Sequence, residues 1–234
     1  MENQILKTYG LTKDEIQTKI SEIIADYHTK AKVSVKEKYL DATIDISSNS
    51  SDTIKDVTRL ILNTLEQNIY ATGYETLYEK LASLLKQRNK TICLFEQGSG
   101  GVIASNLMAI DGAGKHVQSC MILPSVDSWL TNFDIDPRIL RENNGVSSKL
   151  VFMIASALRR KFLADYYIVS VSSDADGLEV YNMGETNHGL SALVAIGDAA
   201  GVEIYKQKLT GSVRDRINQT AKSITYKLIL ELKK

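Results

Sequence analysis

Residues 91–101 read TICLFEQGSGG, an apolar segment that runs into a glycine-rich turn. Residues 91–95 have the composition of a short buried strand, and residues 102–108 resume with apolar side chains at helical spacing. The turn between them therefore directs free backbone N–H groups beyond the strand end, where they suit an anion or a carbonyl oxygen. The same glycines are also typical of a tight connection that merely lets a helix pack closely on a sheet.

Further short motifs occur in a fixed order on both sides of this turn. They are YETL at 74–77, GAG at 112–114, NGVS at 144–147, ADY at 164–166, ETNHG at 185–189 and GSVR at 211–214. Their order and separations resemble the C-terminal domain of the competence/damage-inducible protein (CinA) family, which also exists alone as nicotinamide-nucleotide amidohydrolase. Ordered matches over a long stretch are far more specific than any single motif.

The resemblance extends to the N-terminal part of the chain. The segments YGLTKDE at 9–15 and NIYATG at 68–73 resemble the family's middle, KH-like domain. We therefore expect a KH-like α+β domain at residues 1–73 and an amidohydrolase-like domain at residues 74–234. The resemblance also implies a CinA protein without the family's N-terminal molybdopterin-binding-like domain and the pyrophosphatase activity associated with it.

The chain departs from the family at the positions that carry the chemistry. In the family a serine nucleophile is activated by a lysine and a tyrosine, and the matching positions here are Gln97, Trp129 and Pro124. An amide has no nucleophilic oxygen that a base can activate, proline has no side-chain proton, and indole is only a donor. The resemblance therefore predicts a catalytically degenerate protein that binds a nucleotide or a partner without hydrolysing it.

The alternative hypothesis, a divergent amidohydrolase that acts on nicotinamide mononucleotide, depends on Ser99. Ser99 lies two residues beyond the family's nucleophile position and would be a relocated nucleophile if a base lay within hydrogen-bond reach. The histidines that the sequence offers are His28, His116 and His188. A Ser99 side chain that caps the following helix or donates to a ligand phosphate is the competing interpretation. A structural or assembly module is the third alternative.

The resemblance implies a ligand site formed by the glycine turn and a guanidinium. The residues expected to bind are Glu96, Gln97, Gly98, Ser99, Gly100, Gly101 and Arg214. Arg214 matches the family's arginine after one inserted residue and supplies a fork of donors at the start of the last helix. We expect the ligand to be a pyridine nucleotide or another small anion, and we expect Pro124 and Trp129 to fill part of the former pocket.

Residues 173–188 replace a glycine-rich loop that helps to wall the family's nucleotide site. The replacement introduces Asp174 and Asp176. Together with Glu96 these carboxylates would suit a hard cation, but Asp-x-Asp-Gly is also an ordinary surface turn, which we favour. We expect no metal and no cofactor. Added negative charge near a phosphate also argues against the family's original substrate.

Composition indicates a small cytoplasmic protein. The 234 residues include 28 basic and 28 acidic side chains, so no net charge favours nucleic acid, and the clamping Gly-x-x-Gly loop of KH domains is absent. Cys93 and Cys120 lie in apolar segments and are expected to be free thiols. No secretory leader and no run long enough to span a membrane is apparent. The family resemblance implies a homo-oligomer.

Hydrophobic periodicity predicts an α/β protein. The first domain reads α-β-β-α, starting with a capping box at Thr12 and Glu15 and a polar, helical N-terminus. The second alternates helices and strands, which predicts a three-layer α/β/α domain with a mixed sheet. Its strands are predicted near 91–95, 117–123, 166–172, 190–197 and 202–208, and its helices near 75–88, 102–109, 147–163 and 212–232.

Overall fold

The computed structural model describes residues 2–143, 145–175 and 190–234. These divide into two compact units, Met1–Lys80 and Leu81–Lys234. Predictions that concern Asn144, Asp176, His188 and the rest of residues 176–189 lie outside the described residues. No helix in the described ranges combines the length and the apolar character that crossing a membrane requires.

The first unit is a small α+β unit in which helices cover one antiparallel sheet of order β2-β3-β1-β4. Its elements are β1 (Glu2–Tyr9), α1 (Lys13–Lys19), α2 (Ser21–Tyr27), β2 (Ala31–Lys38), β3 (Asp41–Ser48), α3 (Ser51–Leu65) and β4 (Ile69–Thr72). The core side chains of β3 are Ala42, Ile44 and Ile46, as their alternation predicts, and they pack with Val57 and Ile61 of α3.

Three features of this unit differ from the sequence-based expectation, and one of them is the strand β4, which the α-β-β-α order does not include. The N-terminal segment is not helical, because β1 is a central strand paired with both β3 and β4. Its buried residues include the adjacent pair Ile5 and Leu6, which hides a period of two. The capping box is confirmed, since Thr12 accepts from the Glu15 N–H and Glu15 from the Thr12 N–H. The helix that it opens ends at Ile20, where α2 begins.

The second unit holds the glycine turn and a mixed five-stranded sheet, and it begins within α4 (Leu77–Arg88). Its further elements are β5 (Ile92–Glu96), α5 (Val102–Met108), β6 (Val117–Met121), α6 (Val126–Phe133), α7 (Arg138–Glu142), α8 (Ser148–Lys161), β7 (Tyr166–Ser172), β8 (Ser191–Gly197), β9 (Val202–Lys208) and α9 (Val213–Lys233). Helices α6 and α7 were not predicted from the sequence.

The sheet has the order β6-β5-β7-β8-β9. Strand β5 is parallel to β6 and β7, whereas β7-β8 and β8-β9 are antiparallel. Helix α8 packs on β7, β8 and β9, while α5 contacts β5 and β6 and α9 contacts α5 and β8. This is the expected three-layer α/β/α domain, and the parallel strands β5, β6 and β7 bring their carboxyl ends to one edge of the sheet.

Candidate ligand-binding cleft

The glycine turn joins the carboxyl end of β5 to the start of α5, as the sequence predicts. The Gly98 N–H donates to Ser170 O of β7 at 2.8 Å, which ties the turn to the neighbouring strand. Gly100 and Gly101 have φ angles of 59° and 81°, in the left-handed region that side chains with a Cβ avoid. The backbone therefore requires glycine at both positions to start the helix at Val102.

Glu96 points inward from the end of β5 and is fully buried. Its carboxylate accepts from the N–H groups of Ile103 and Ala104 at 3.0 and 2.8 Å, so Glu96 caps α5. The Cys120 thiol donates a further, longer contact of 3.7 Å to Oε1. Burial raises the pKa of the Glu96 carboxyl, and the hydrogen bonds oppose this effect.

Ser99 belongs to the same buried network. Its Oγ lies 2.9 Å from Glu96 Oε2 and 2.8 Å from Ser170 Oγ, and its side chain is fully buried. The cap that was expected of Ser99 is therefore supplied by Glu96, and the Ser99 hydroxyl holds the turn together from inside. The Ser99 hydroxyl is thus enclosed by a carboxylate and a second hydroxyl.

The described imidazoles lie away from Ser99 or in the other unit. His116 precedes β6 and its Nδ1 lies 2.8 Å from Lys90 O, at the amino ends of the parallel strands. Ser99 follows the carboxyl end of β5, at the opposite edge. His28 belongs to the first unit, and His188 lies outside the described residues.

A cleft with a volume of about 310 Å³ opens above the turn. Its walls combine backbone of the glycine turn, aliphatic side chains and a few polar groups. The lining residues are Gln97, Gly98, Gly100, Ile122, Pro124, Ser172, Asp174, Ala175, Val213, Arg216 and Ile217. Gln97, Gly98 and Gly100 are thus in the cleft, whereas Glu96 and Ser99 lie beneath it.

The three positions that match the family's catalytic groups do not lie together in the structure. The Gln97 side chain lines the cleft, and its Oε1 accepts from the Ser172 N–H at 2.7 Å. Pro124 also lines it. Trp129 of α6 does not line the cleft, because it is fully buried in the hydrophobic core. Its Nε1 donates to Leu123 O at 2.7 Å, and its ring packs edge-on against Phe95.

The guanidinium in the cleft is that of Arg216. Its Nη2 donates to Asp174 Oδ2 at 2.6 Å and its Nη1 donates to Gly211 O at 2.9 Å. Arg214, the position expected from the family pattern, is exposed and is not among the lining residues. In the structure Arg216 lies one helical turn before the buried Thr220, on the same face of α9.

Sequence reasoning also missed Ser170, Ser172 and Ile217. The two serines alternate with valines in β7, so they face the glycine turn, while Ile217 packs against Gly100, where an added Cβ would lie 3.2 Å from Ile217 Cδ1. Among the described residues, no three His, Cys, Asp or Glu side chains come together as metal ligands. Asp174 is engaged by Arg216, and Asp176 lies outside the described ranges.

A strand, a glycine turn and a short capped helix lie at the carboxyl edge of a mixed sheet, which places the second unit among the layered α/β/α proteins. The model of the CinA C-terminal domain family matches residues 74–233, and this chain belongs to the CinA family.

Similar proteins agree with this assignment. A CinA-like protein of Cytophaga hutchinsonii is 24% identical over 242 residues, which cover 99% of this chain and 56% of the relative. The chain spans about half the length of the curated relatives it matches over nearly its whole length.

Solved structures show the same fold. A competence or damage-inducible protein from Enterobacter asburiae has a TM-score of 0.58 and 19% identity, over 67% of this chain and 96% of that one. A CinA superfamily protein from Klebsiella pneumoniae has a TM-score of 0.57 and 17% identity, over 67% of this chain and 96% of that one.

Proposed function

We propose that this CinA-family chain binds a small ligand, a pyridine nucleotide or another small anion, in the cleft above Gly98 and Gly100 without hydrolysing it. One observation carries the proposal. The cleft keeps the glycine turn of the family, but its described lining residues include no lysine, tyrosine, histidine or cysteine that would activate a nucleophile.

The hydroxyl that lines the cleft belongs to Ser172. Its Oγ donates to Asp174 Oδ1, and the other oxygen of Asp174 is held by Arg216. The Asp174 carboxylate is thus bound on both oxygens, and the described lining residues contain no amine or imidazole that would assist it in taking the Ser172 proton. Ser172 is therefore better suited to a hydrogen bond with a ligand than to attack on an amide.

The shape and composition of the cleft support ligand binding. Its volume of about 310 Å³ lies at the lower end of the range typical of small-molecule sites, roughly 300–1,000 Å³. Ile122, Val213 and Ile217 supply apolar walls. The Gln97 amide and the Arg216 guanidinium supply directional hydrogen-bond donors. Small-molecule sites typically combine apolar walls with a few such polar groups, which orient the ligand.

The test measures binding and turnover on the same preparation. Nicotinamide mononucleotide is titrated into the chain by calorimetry, and nicotinic acid mononucleotide is assayed after prolonged incubation. We expect saturable binding and no product above background. Ammonia release that disappears in Ser99→Ala or Ser172→Ala would contradict the proposal and favour the divergent amidohydrolase. A trace that survives both changes indicates contamination.

Two matched variants locate the binding site. Ile122 lines the cleft and is 51% exposed, whereas Phe152 of α8 is 49% exposed and does not line it. Ile122→Asp is expected to weaken binding at least tenfold, about 1.4 kcal/mol, because it places a charge in the apolar wall. Phe152→Asp is expected to bind like the natural chain. Equal affinities would place the ligand elsewhere.

Self-association is a further part of this proposal. It rests on the resemblance to the family, which tends to form homo-oligomers. Light scattering on the purified chain tests it, and a monomer mass at all concentrations would contradict it. The structural or assembly role is the alternative that gains if the chain self-associates and the cleft binds no ligand.

A further inference from the structure

The guanidinium of Arg216 already has an anionic partner. Its Nη2 donates to Asp174 Oδ2 at 2.6 Å, and its Nη1 is held by Gly211 O at 2.9 Å. The remaining oxygen of Asp174 accepts from Ser172 Oγ. The guanidinium is therefore already paired with an anion of the chain itself, although these two bonds do not use all of its N–H donors.

Both members of this ion pair lie at the wall of the cleft and remain partly accessible. The Arg216 side chain is 14% exposed and the Asp174 side chain is 35% exposed. Among the described lining residues the charged side chains are Asp174 and Arg216, so the formal charge that these residues contribute is zero. An incoming oxyanion consequently meets a site without a net positive charge.

We propose that Asp174 acts as an internal competitor for Arg216, so that a phosphate-bearing ligand enters the cleft by displacing the Asp174 carboxylate from the guanidinium. The inference rests on the proposed function, because it concerns the same cleft. It adds a residue that determines specificity. With Asp174 in place, the cleft favours the form of a ligand that lacks the phosphate over its phosphate ester.

The physical reason is competition between like charges. A guanidinium fork pairs well with one carboxylate or one phosphate. A phosphate that kept Asp174 as its neighbour would face a like charge within a few ångströms, in a partly desolvated cleft where repulsion is stronger than in water. The Asp174 carboxylate must therefore move away from Arg216. Breaking this ion pair reduces the net free energy of binding of the phosphate-bearing ligand.

The same unit contains a matched control pair. Asp136 and Arg138 at the start of α7 form an ion pair of 2.5 Å, and neither lines the cleft. Asp174→Asn and Asp136→Asn therefore remove the same charge from two Asp–Arg pairs, of which one is in the cleft. Arg216→Gln removes the guanidinium for which Asp174 and the phosphate compete. The double variant Asp174→Asn with Arg216→Gln completes a double-mutant cycle.

The probes differ in a single group. Nicotinamide mononucleotide and nicotinamide riboside differ by the phosphate, and inorganic phosphate supplies that group alone. Affinities are measured by calorimetry at constant ionic strength in a buffer free of phosphate, and circular dichroism verifies the fold of each variant.

We expect Asp174→Asn to strengthen binding of the mononucleotide and of inorganic phosphate by about tenfold, or about 1.4 kcal/mol, and to leave the riboside within about twofold. Asp136→Asn is expected to change none of them, and the gain is expected to vanish when Arg216→Gln is added. Stronger binding of the mononucleotide without a gain for inorganic phosphate would indicate that the whole nucleotide is required for displacement, which supports the inference for that ligand.

Unchanged or weaker binding of the mononucleotide in Asp174→Asn overturns the inference. If the natural chain still binds the mononucleotide in that case, the proposed function stands and the role of Asp174 is wrong. If neither protein binds any probe, both are wrong. If the riboside gains as much as the mononucleotide, Asp174 shapes the cleft without competing with phosphate, and the inference is again overturned.

Discussion

Glu96 and Ser99 are joined by a hydrogen bond of 2.9 Å beneath the glycine turn, and both side chains are fully buried. The bond links the last residue of β5 to the middle of the turn, while the same carboxylate caps α5. One buried acidic group thus fixes the end of a strand, the path of the turn and the first residues of the following helix.

Glu96→Gln is expected to destabilise the second unit by about 1–3 kcal/mol, because the amide NH2 group would face N–H and O–H donors and leave them without an acceptor. Trp129, the single tryptophan, is buried in this unit, so its fluorescence during urea unfolding measures the change. Glu142→Gln, at an exposed position, is the control and is expected to lie within about 0.5 kcal/mol of the natural chain.

The difference in unfolding free energy between the natural chain and Glu96→Gln is expected to depend on pH. Burial raises the pKa of Glu96 in the folded chain, so the folded state binds more protons than the unfolded state at pH values between the two pKa values. Stability from this group is present at acid pH and is lost as pH rises through the raised pKa. The gap between the proteins should therefore narrow with increasing pH, and a gap that widens would mean that the hydrogen bonds outweigh burial.

Rebuilding the family's catalytic groups is expected to fail, because one of the positions lies in the core. Gln97→Ser, Pro124→Tyr and Trp129→Lys together would bury an ammonium group and leave Leu123 O without its indole donor. Trp129→Lys is expected to cost at least about 3–5 kcal/mol, whereas Trp129→Phe keeps an aromatic ring against Phe95 and should cost less. Circular dichroism measures both losses. Formation of nicotinic acid mononucleotide by the triple variant would refute this expectation.

Gly98→Ala is expected to damage the cleft, because its Cβ would lie 3.2 Å from backbone atoms of Val171 and Ser172, which cannot rotate away as a side chain would. We expect a loss of about 1–3 kcal/mol in stability and weaker ligand binding. Gly201→Ala is the matched control, since an added Cβ there meets no atom within 4 Å. Urea unfolding and calorimetry test the pair, and equal effects of the two changes would mean that the contact with β7 relaxes freely.

The turn between β2 and β3 holds Tyr39 and Leu40 at φ angles of 60° and 61°, a conformation that favours glycine or asparagine. Leu40→Gly is expected to stabilise this hairpin by about 1 kcal/mol, because it relieves the strained backbone of an exposed residue. Ser34→Gly within β2 should instead cost about 0.5–1 kcal/mol. Amide hydrogen exchange of residues 31–48 measures both changes, and faster exchange after Leu40→Gly would count against the strain.

Composition predicted the strands that lie between clear turn signals. Strands β7 and β9 have the predicted bounds, because segments rich in valine, isoleucine and tyrosine lie between turn residues. Strand β1 was missed because Ile5 and Leu6 are adjacent. Helices α6 and α7 were missed because they are short, and helices of two turns or fewer show little of the repeat on which such a prediction depends.

The candidate site was predicted in its backbone and less well in its side chains. The glycine turn follows from composition. The inward direction of Glu96 was available from the alternation of Ile92, Leu94 and Glu96 on one face of β5. The pairing of Arg216 with Asp174 was not, because it joins residues 42 positions apart through the packing of α9 against the sheet.

The Cys120 thiol contacts Glu96, so the reactivity of the cysteines near the end of β5 depends on whether this part of the chain opens. Burial and the neighbouring carboxylate raise the pKa of Cys120 to about 12, and burial raises that of Cys93 to about 11. Alkylating agents react with the thiolate, so both sulfurs are nearly inert while the carboxyl end of β5 is closed. Cys93 is fully buried, so the rate at which iodoacetamide labels it measures how often strand β5 opens, and a ligand bound at the carboxyl end of β5 would lower that rate.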